Sequence, residues 1–242
     1  MTPTENKAMT GTSRDVARHG ADRELADFLG AVERLPATRG GARGRLVVAL
    51  DATMSRQPTW DRACAIQADM FEAAAAIGGL DVQMVFFRGH CEFRASPWVA
   101  TPEALARQMG GVRVAGGRTQ IARVLEHALG EHGRRPVHAL VYVGDAQEED
   151  PDTLAGIAGR MGIAGLRAFV FQEGSDPAAS ATFAAIARLT GGAHCRFDSA
   201  SARQLRDLLA GVAAYAAGGV PALKALAARR GGDLPRLAAQ IR

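Results

Sequence analysis

The chain has few cysteines, few aromatic residues and no long apolar run. Its three cysteines, Cys64, Cys91 and Cys195, are widely spaced and form no Cys-x-x-Cys pair. Because any disulfide scheme leaves one of them unpaired, reduced thiols fit best. No stretch of about 18 apolar residues occurs, and the polar residues 1–20 lack the apolar core of a signal peptide. We therefore expect a cytoplasmic protein that does not cross a membrane.

Charge of one sign is also scarce. The formal net charge is only +4, charged residues make up 22% of the chain and aromatic residues 5%. Arginines are scattered through the termini without the interleaved aromatic residues that stack on bases, so we expect no nucleic-acid partner. The apolar share of 48% in 242 residues is enough for one large globular domain.

Three regions differ in pattern. Residues 1–44 comprise a polar tail, predicted to be disordered, and an amphipathic helix in which apolar residues recur from Leu25 to Leu35 before Pro36. Residues 45–217 hold the main domain. Residues 218–242 form a predicted helical tail that carries Leu223 and Leu226 and that docks either on this domain or on another protein.

Within the main domain, short apolar runs alternate with helix-period segments. The predicted strands are 46–50, 82–87, 91–98, 139–143, 166–171 and 192–198. The predicted helices are 60–77, 119–132, 151–161, 178–189 and 202–216. Continuous apolar strands alternating with helices predict an α/β fold: a doubly wound, mostly parallel six-stranded sheet with helices on both faces. Only three residues separate the strand 82–87 from the strand 91–98. They are too few for a crossover helix, so 91–98 is predicted to be an antiparallel edge strand.

Oxygen-bearing side chains follow the strands of this predicted sheet. The first strand runs into Asp51, Thr53 and Ser55, a later loop places Thr119 at a helix start, and the strand 139–143 is followed by Asp145. In open α/β sheets the functional crevice lies at the carboxyl ends of the strands. Carboxylates and hydroxyls are hard donors, which suits Mg²⁺ or Mn²⁺ better than Zn²⁺. The sequence therefore predicts a divalent metal site.

This arrangement resembles the metal-ion-dependent adhesion site of von Willebrand factor A-type (VWA) domains, here of the bacterial intracellular type. The resemblance covers roughly residues 45–217. It implies that Thr53, Ser55 and, in some states, Thr119 touch the metal directly, while Asp51 and Asp145 hold it mainly through water. It further implies a non-catalytic adaptor that binds a protein partner offering Asp or Glu to the metal, within a larger assembly.

Two other functions remain open from the residues alone. A phosphatase or phosphotransferase of haloacid dehalogenase type would use Asp51 as nucleophile, but such proteins usually carry a second acid two residues later, where this chain has Thr53. A metal-free scaffold would bind through its terminal helices instead.

Further polar residues have structural interpretations. The pairs His90-Cys91 and His194-Cys195 suggest zinc but are predicted to lie at opposite sheet edges. Asp150 precedes Pro151 and is predicted to be a helix N-cap, with Glu148 and Glu149 suiting the dipole of the same helix. Arg56, Arg88 and Arg118 are candidates for attracting an acidic ligand to the site.

Overall fold

The computed structural model describes most of the main domain and the beginning of the C-terminal region. The described residues are 43–52, 61, 79–113, 115, 117–197 and 202–230. Several sequence predictions lie outside them, among them the polar N-terminal tail and helix, the helix 60–77 except for Asp61, the metal ligands Thr53 and Ser55, and Arg56.

Six strands form one sheet in the order β3-β2-β1-β4-β5-β6. The strands are β1 (Gly44–Asp51), β2 (Leu80–Arg88), β3 (Glu92–Ala95), β4 (Ala139–Gly144), β5 (Ala168–Glu173) and β6 (Ala193–Phe197). All neighbours pair in parallel except β2 and β3, which pair antiparallel at one edge. The predicted mostly parallel six-stranded sheet with one antiparallel edge strand is confirmed.

Helices cover both faces of the sheet, as predicted. The described helices are α1 (Pro102–Gly110), α2 (Ile121–Arg134), α3 (Pro151–Ala164), α4 (Pro177–Thr190) and α5 (Ala202–Arg230). Helix α1 is absent from the sequence predictions, although its start carries a local signal. Thr101 is the N-cap, its side chain accepts a hydrogen bond from the Ala104 N–H, and Pro102 takes the first helical position.

Side chains alternate between two cores, one on each side of the sheet. Leu46, Val48 and Leu50 of β1 pack into the core that α1 and α5 cover. Val47 and Ala49 pack into the core that α2, α3 and α4 cover. Every residue of β1 is buried, because this central strand is covered on both faces.

A polar network anchors the amino end of β1. The Arg45 N–H donates to His138 Nδ1 (2.9 Å), just before β4, and the Arg45 guanidinium lies 3.8 Å from the Trp98 ring centroid. Arg45 Nη1 also donates to the Arg135 carbonyl (2.6 Å), and Trp98 Nε1 donates to Glu131 Oε2 (2.8 Å). These contacts fix the register of β1 against β4 and the β3 side of the sheet.

The C-terminal helix α5 breaks at Gly218 and Gly219 and then docks on its own domain. Gly219 has φ = 67°, which a glycine adopts without strain. Beyond the break, Leu223 is buried in the core beneath α1 and α5, and Leu226 packs with Ala210 of the preceding helical segment. None of the described helices is long and apolar enough to span a bilayer.

Gly162 provides a test of the α3–α4 packing. A Cβ at this position would overlap the Leu189 backbone carbonyl oxygen, whereas one at Gly156 in the same helix would meet nothing within 4 Å. Overpacking costs about 1–3 kcal/mol, so Gly162→Ala should lower the free energy of unfolding by that amount. Gly156→Ala should raise it by up to about 1 kcal/mol through helix propensity. Urea denaturation of both variants measures this; equal effects would contradict the close approach.

Two half-buried histidines should make stability depend on pH. Burial, and then the neighbouring Arg45 charge, lower the pKa of His138, while burial lowers the pKa of His127. The folded state therefore binds fewer protons than the unfolded chain, whose histidines titrate near about 6.5. The free energy of unfolding should be constant above that pH and fall as the pH decreases below it. Urea denaturation between about pH 7.5 and 5 measures this.

The variant His138→Asn tests the source of this pH dependence. Its side-chain oxygen can still accept the Arg45 N–H, but it does not titrate. We expect a shallower decline of stability below pH 6.5. An unchanged slope would show that His138 does not contribute.

Candidate metal centre

Two of the predicted carboxylates lie at neighbouring strand ends. Asp51 is the last residue of β1, and Asp145 directly follows β4. β1 and β4 are adjacent and parallel, with Leu50 opposite Val143 in the last pair. The Asp51 side chain is buried and Asp145 is half-buried. Parallel pairing thus brings both acids to the carboxyl edge of the sheet, where the carboxyl ends of the parallel strands lie side by side.

The segment that contains Thr119 crosses this edge and is held there by backbone hydrogen bonds. The Ala115 N–H donates to the Ala52 carbonyl (3.1 Å), next to Asp51, and the Arg118 N–H donates to the Gly89 carbonyl after β2 (3.1 Å). Thr119 follows directly and is 7% exposed. The third predicted ligand region therefore lies over the ends of β1 and β2.

A reciprocal pair of hydrogen bonds joins Thr119 to the connection after β4. The Glu148 N–H donates to Thr119 Oγ1 (3.2 Å), and the Thr119 N–H donates to Glu148 Oε2 (3.4 Å). A hydroxyl oxygen has two acceptor positions, and the Glu148 N–H takes one.

Glu149 caps a helix other than the one that the sequence indicated. Its carboxylate accepts hydrogen bonds from the Ile121 N–H and from the Ala122 N–H (3.0 Å), at the start of α2. The prediction that Glu149 serves the dipole of the helix after Pro151 is wrong for this residue, because its side chain turns to α2. No local signal reveals this contact, since the partners are 27 and 28 residues apart.

Asp150 does cap the helix after it, as predicted. Its side chain accepts hydrogen bonds from the Thr153 N–H (3.0 Å) and the Thr153 hydroxyl (2.6 Å), and Pro151 opens α3. These bonds lower the pKa of the Asp150 carboxyl. The acids after β4 are thus divided between two helices, so neither Glu149 nor Asp150 extends the candidate site as a ligand.

The candidate donors at this edge are hard oxygens. Asp51, Thr119 and Asp145 come from three separate connections, while Thr53 and Ser55 lie outside the described residues. Within the described ranges, no three His, Cys, Asp or Glu side chains group closely enough to hold a metal. Cation binding at this edge therefore needs hydroxyl donors in addition to the two carboxylates, a donor set that suits Mg²⁺ or Mn²⁺.

The alternative zinc ligands do not meet. His90 and Cys91 lie in the turn between β2 and β3, at one edge of the sheet. His194 and Cys195 lie in β6, at the opposite edge, and His194 Nε2 contacts Gln172 Oε1 at 3.0 Å. The two pairs cannot share a zinc ion.

Arginines border the candidate centre on the β2 side. Arg88 pairs with Glu92 (Nε to Oε2, 2.7 Å), which raises the pKa of Arg88, and its Nη1 donates to the Arg113 carbonyl. The Arg113 and Arg118 side chains are exposed. Arg56 lies outside the described residues. The rim beside the β2–β3 turn is therefore basic.

Comparison with known proteins identifies the fold but no relative in sequence. No protein-family model matches the chain, and no curated protein is significantly similar to it. Among solved structures, an aerotolerance-related membrane protein from Bacteroides fragilis is similar with a TM-score of 0.53 and 18% identity, over 70% of this chain and 99% of that chain.

Two further structures bear on the candidate centre. The SpRpn10 VWA domain is similar with a TM-score of 0.55 and 13% identity, over 69% of this chain and 94% of that chain. Proximal thread matrix protein 1 from the mussel byssus, solved with a zinc-occupied MIDAS motif, gives a TM-score of 0.55 and 13% identity, over 74% of this chain and 48% of that chain. The chain thus has the VWA fold, and the predicted fold resemblance is confirmed.

Gly117 provides a test of how the Thr119 segment is held. A Cβ at Gly117 would overlap the Gly89 backbone, whereas one at Gly110 would meet nothing within 4 Å. Gly117→Ala should therefore displace the segment, break the Arg118–Gly89 hydrogen bond and speed amide exchange at Arg118. Gly110→Ala should leave that exchange unchanged. Amide hydrogen exchange measures both; a protected Arg118 amide in Gly117→Ala would contradict the close approach.

Proposed function

We propose that this chain is a protein-binding module that holds Mg²⁺ or Mn²⁺ at the carboxyl edge of its sheet. The observation that supports the proposal is that Asp51, Thr119 and Asp145 lie in three connections at the carboxyl edge of the sheet. Thr53 and Ser55 complete the proposed ligand set as direct donors. A cation held largely by neutral hydroxyls stays electrophilic and takes an Asp or Glu side chain of a partner as a further ligand.

Each described donor has a distinct part in this proposal. Asp51 is buried and supplies negative charge beneath the cation. Thr119 offers the acceptor position that its bond with Glu148 leaves available. Asp145, which is half-buried directly after β4, orients water on the cation. This division keeps one side of the centre open to the partner.

The arginine rim supports an acidic partner. The Arg113 and Arg118 side chains are exposed, and the Arg88 guanidinium is already held by Glu92 and by the Arg113 carbonyl. Clustered positive charge attracts anions over about 10 Å at moderate ionic strength and speeds their encounter. Association should accordingly weaken as salt is added.

Metal-dependent protein binding is favoured over the two alternatives, the phosphatase and the metal-free scaffold. Catalysis of haloacid dehalogenase type needs a general acid, and the sequence has Thr53 at the usual position of that acid. A scaffold that binds through its terminal helices needs exposed apolar residues, and in the described part of the C-terminal helix Leu223 and Leu226 are buried on this domain instead. The solved VWA neighbour with a zinc-occupied MIDAS motif supports divalent metal binding on this fold.

We place this binding in the cytoplasm, within a larger assembly. Cys91 is exposed and forms no disulfide among the described residues, which suits a reducing compartment. An adaptor that leaves a ligand position open requires partners to fill it.

Removing either proposed carboxylate ligand should weaken metal binding. We expect Asp51→Ala and Asp145→Ala each to weaken Mn²⁺ binding by about tenfold or more. The control Asp152→Ala removes an exposed carboxylate from the first turn of α3 and should bind Mn²⁺ like the unchanged chain. Electron paramagnetic resonance of free Mn²⁺ during titration measures the affinity, and circular dichroism verifies folding.

The partner class is tested with a labelled glutamate-rich peptide and a matched glutamine-rich peptide. Fluorescence anisotropy should show that the glutamate peptide binds only with Mg²⁺ or Mn²⁺ and is released by EDTA. Equal binding of both peptides, or binding indifferent to EDTA, contradicts the proposal. Turnover of an aryl phosphate that Asp51→Asn abolishes would favour the phosphatase instead.

A further inference from the structure

The start of α2 is capped from a different connection of the chain. A helix usually satisfies its first N–H groups with the side chain of its own N-cap residue. In α2 the N-cap residue Gln120 makes no such bond. The Ile121 and Ala122 N–H groups donate instead to the two carboxylate oxygens of Glu149, 28 and 27 residues later.

This cap spans the two connections that carry Thr119 and Asp145. Thr119 is two residues before Ile121, and Asp145 is four residues before Glu149. A carboxylate that accepts two N–H groups at a helix N-terminus makes charge-assisted bonds and also interacts favourably with the helix dipole. The Glu148–Thr119 pair has distances of 3.2 and 3.4 Å, and only one of its two bonds goes to a carboxylate, because the other is accepted by the neutral Thr119 hydroxyl. Glu149 is therefore the stronger link between the two connections.

We propose that Glu149 is a positioning residue of the candidate metal centre. It does not touch the cation, because its carboxylate is engaged by the first turn of α2. By holding that turn against the connection after β4, it sets the place of the Thr119 hydroxyl relative to Asp145. A cation with strict octahedral preference, such as Mg²⁺, tolerates little error in that placement. The inference rests on the proposed metal-binding function.

The variant Glu149→Ala tests this role, with Asp176→Ala as the matched control. Asp176 caps α4 by accepting the Ala179 N–H (2.6 Å), so both variants lose a helix cap and should show similar downward shifts of the urea midpoint. Only Glu149→Ala should weaken Mn²⁺ binding, by about fivefold or more, within the range seen for residues that orient metal ligands. Glu149→Gln keeps one acceptor oxygen and should restore part of the affinity.

A second readout needs no metal. In the metal-free protein, Glu149→Ala should speed amide exchange at Ile121 and Ala122, while Asp176→Ala should not. Faster exchange with unchanged Mn²⁺ affinity would overturn the inference and leave the proposed function intact, as would an equal loss of affinity in Asp176→Ala. A wild-type chain that binds Mn²⁺ no better than Asp51→Ala would overturn both.

Discussion

The parallel pairing of β1 with β4 at the centre of the sheet is the constraint on which the candidate centre depends. Adjacent parallel strands end at the same edge and lie about 4.8 Å apart, so the residues that directly follow them lie close together. Asp51 and Asp145 occupy those positions. A one-residue shift in the register of β1 would turn the Asp51 side chain to the opposite face of the sheet. The position of Asp51 therefore depends on the register of β1, a strand whose residues are all buried.

The opposite end of the same strand pair secures this register. Arg45 bonds to His138 through its backbone N–H and stacks its guanidinium on Trp98, within a network that includes the buried Glu131. The network lies at the amino edge of the sheet, away from the candidate donors. The residues that fix the strand register are thus separate from the residues proposed to bind the cation.

Connections rather than helices or strands place Thr119 at the carboxyl edge of the sheet. The Ala115–Ala52 and Arg118–Gly89 backbone bonds lay the Thr119 segment across the strand ends. Glu148 and Glu149 then tie it to the connection after β4. These bonds hold Thr119 in place without a cation, which would reduce the ordering that the proposed metal binding requires.

The sheet topology was predictable because buried parallel strands read as continuous apolar runs and β3 follows β2 too closely for a crossover. Boundaries were less so. The predicted strand 166–171 began at Leu166, but this residue closes α3: its N–H donates to the Met161 carbonyl after Gly165, which has φ = 81°. An apolar residue at a helix C-terminus looks like the first residue of a strand.

Local chemistry determined what the sequence reveals by itself: the order of strands and helices, the cap at Asp150 and the oxygen donors after the strands. Tertiary structure alone decided that Glu149 bonds to α2 and that Leu223 packs on this domain. The physical reason is range. A cap or an apolar period is set by residues within one or two turns, whereas Glu149 and Ile121 are 28 residues apart and meet only after the sheet has formed.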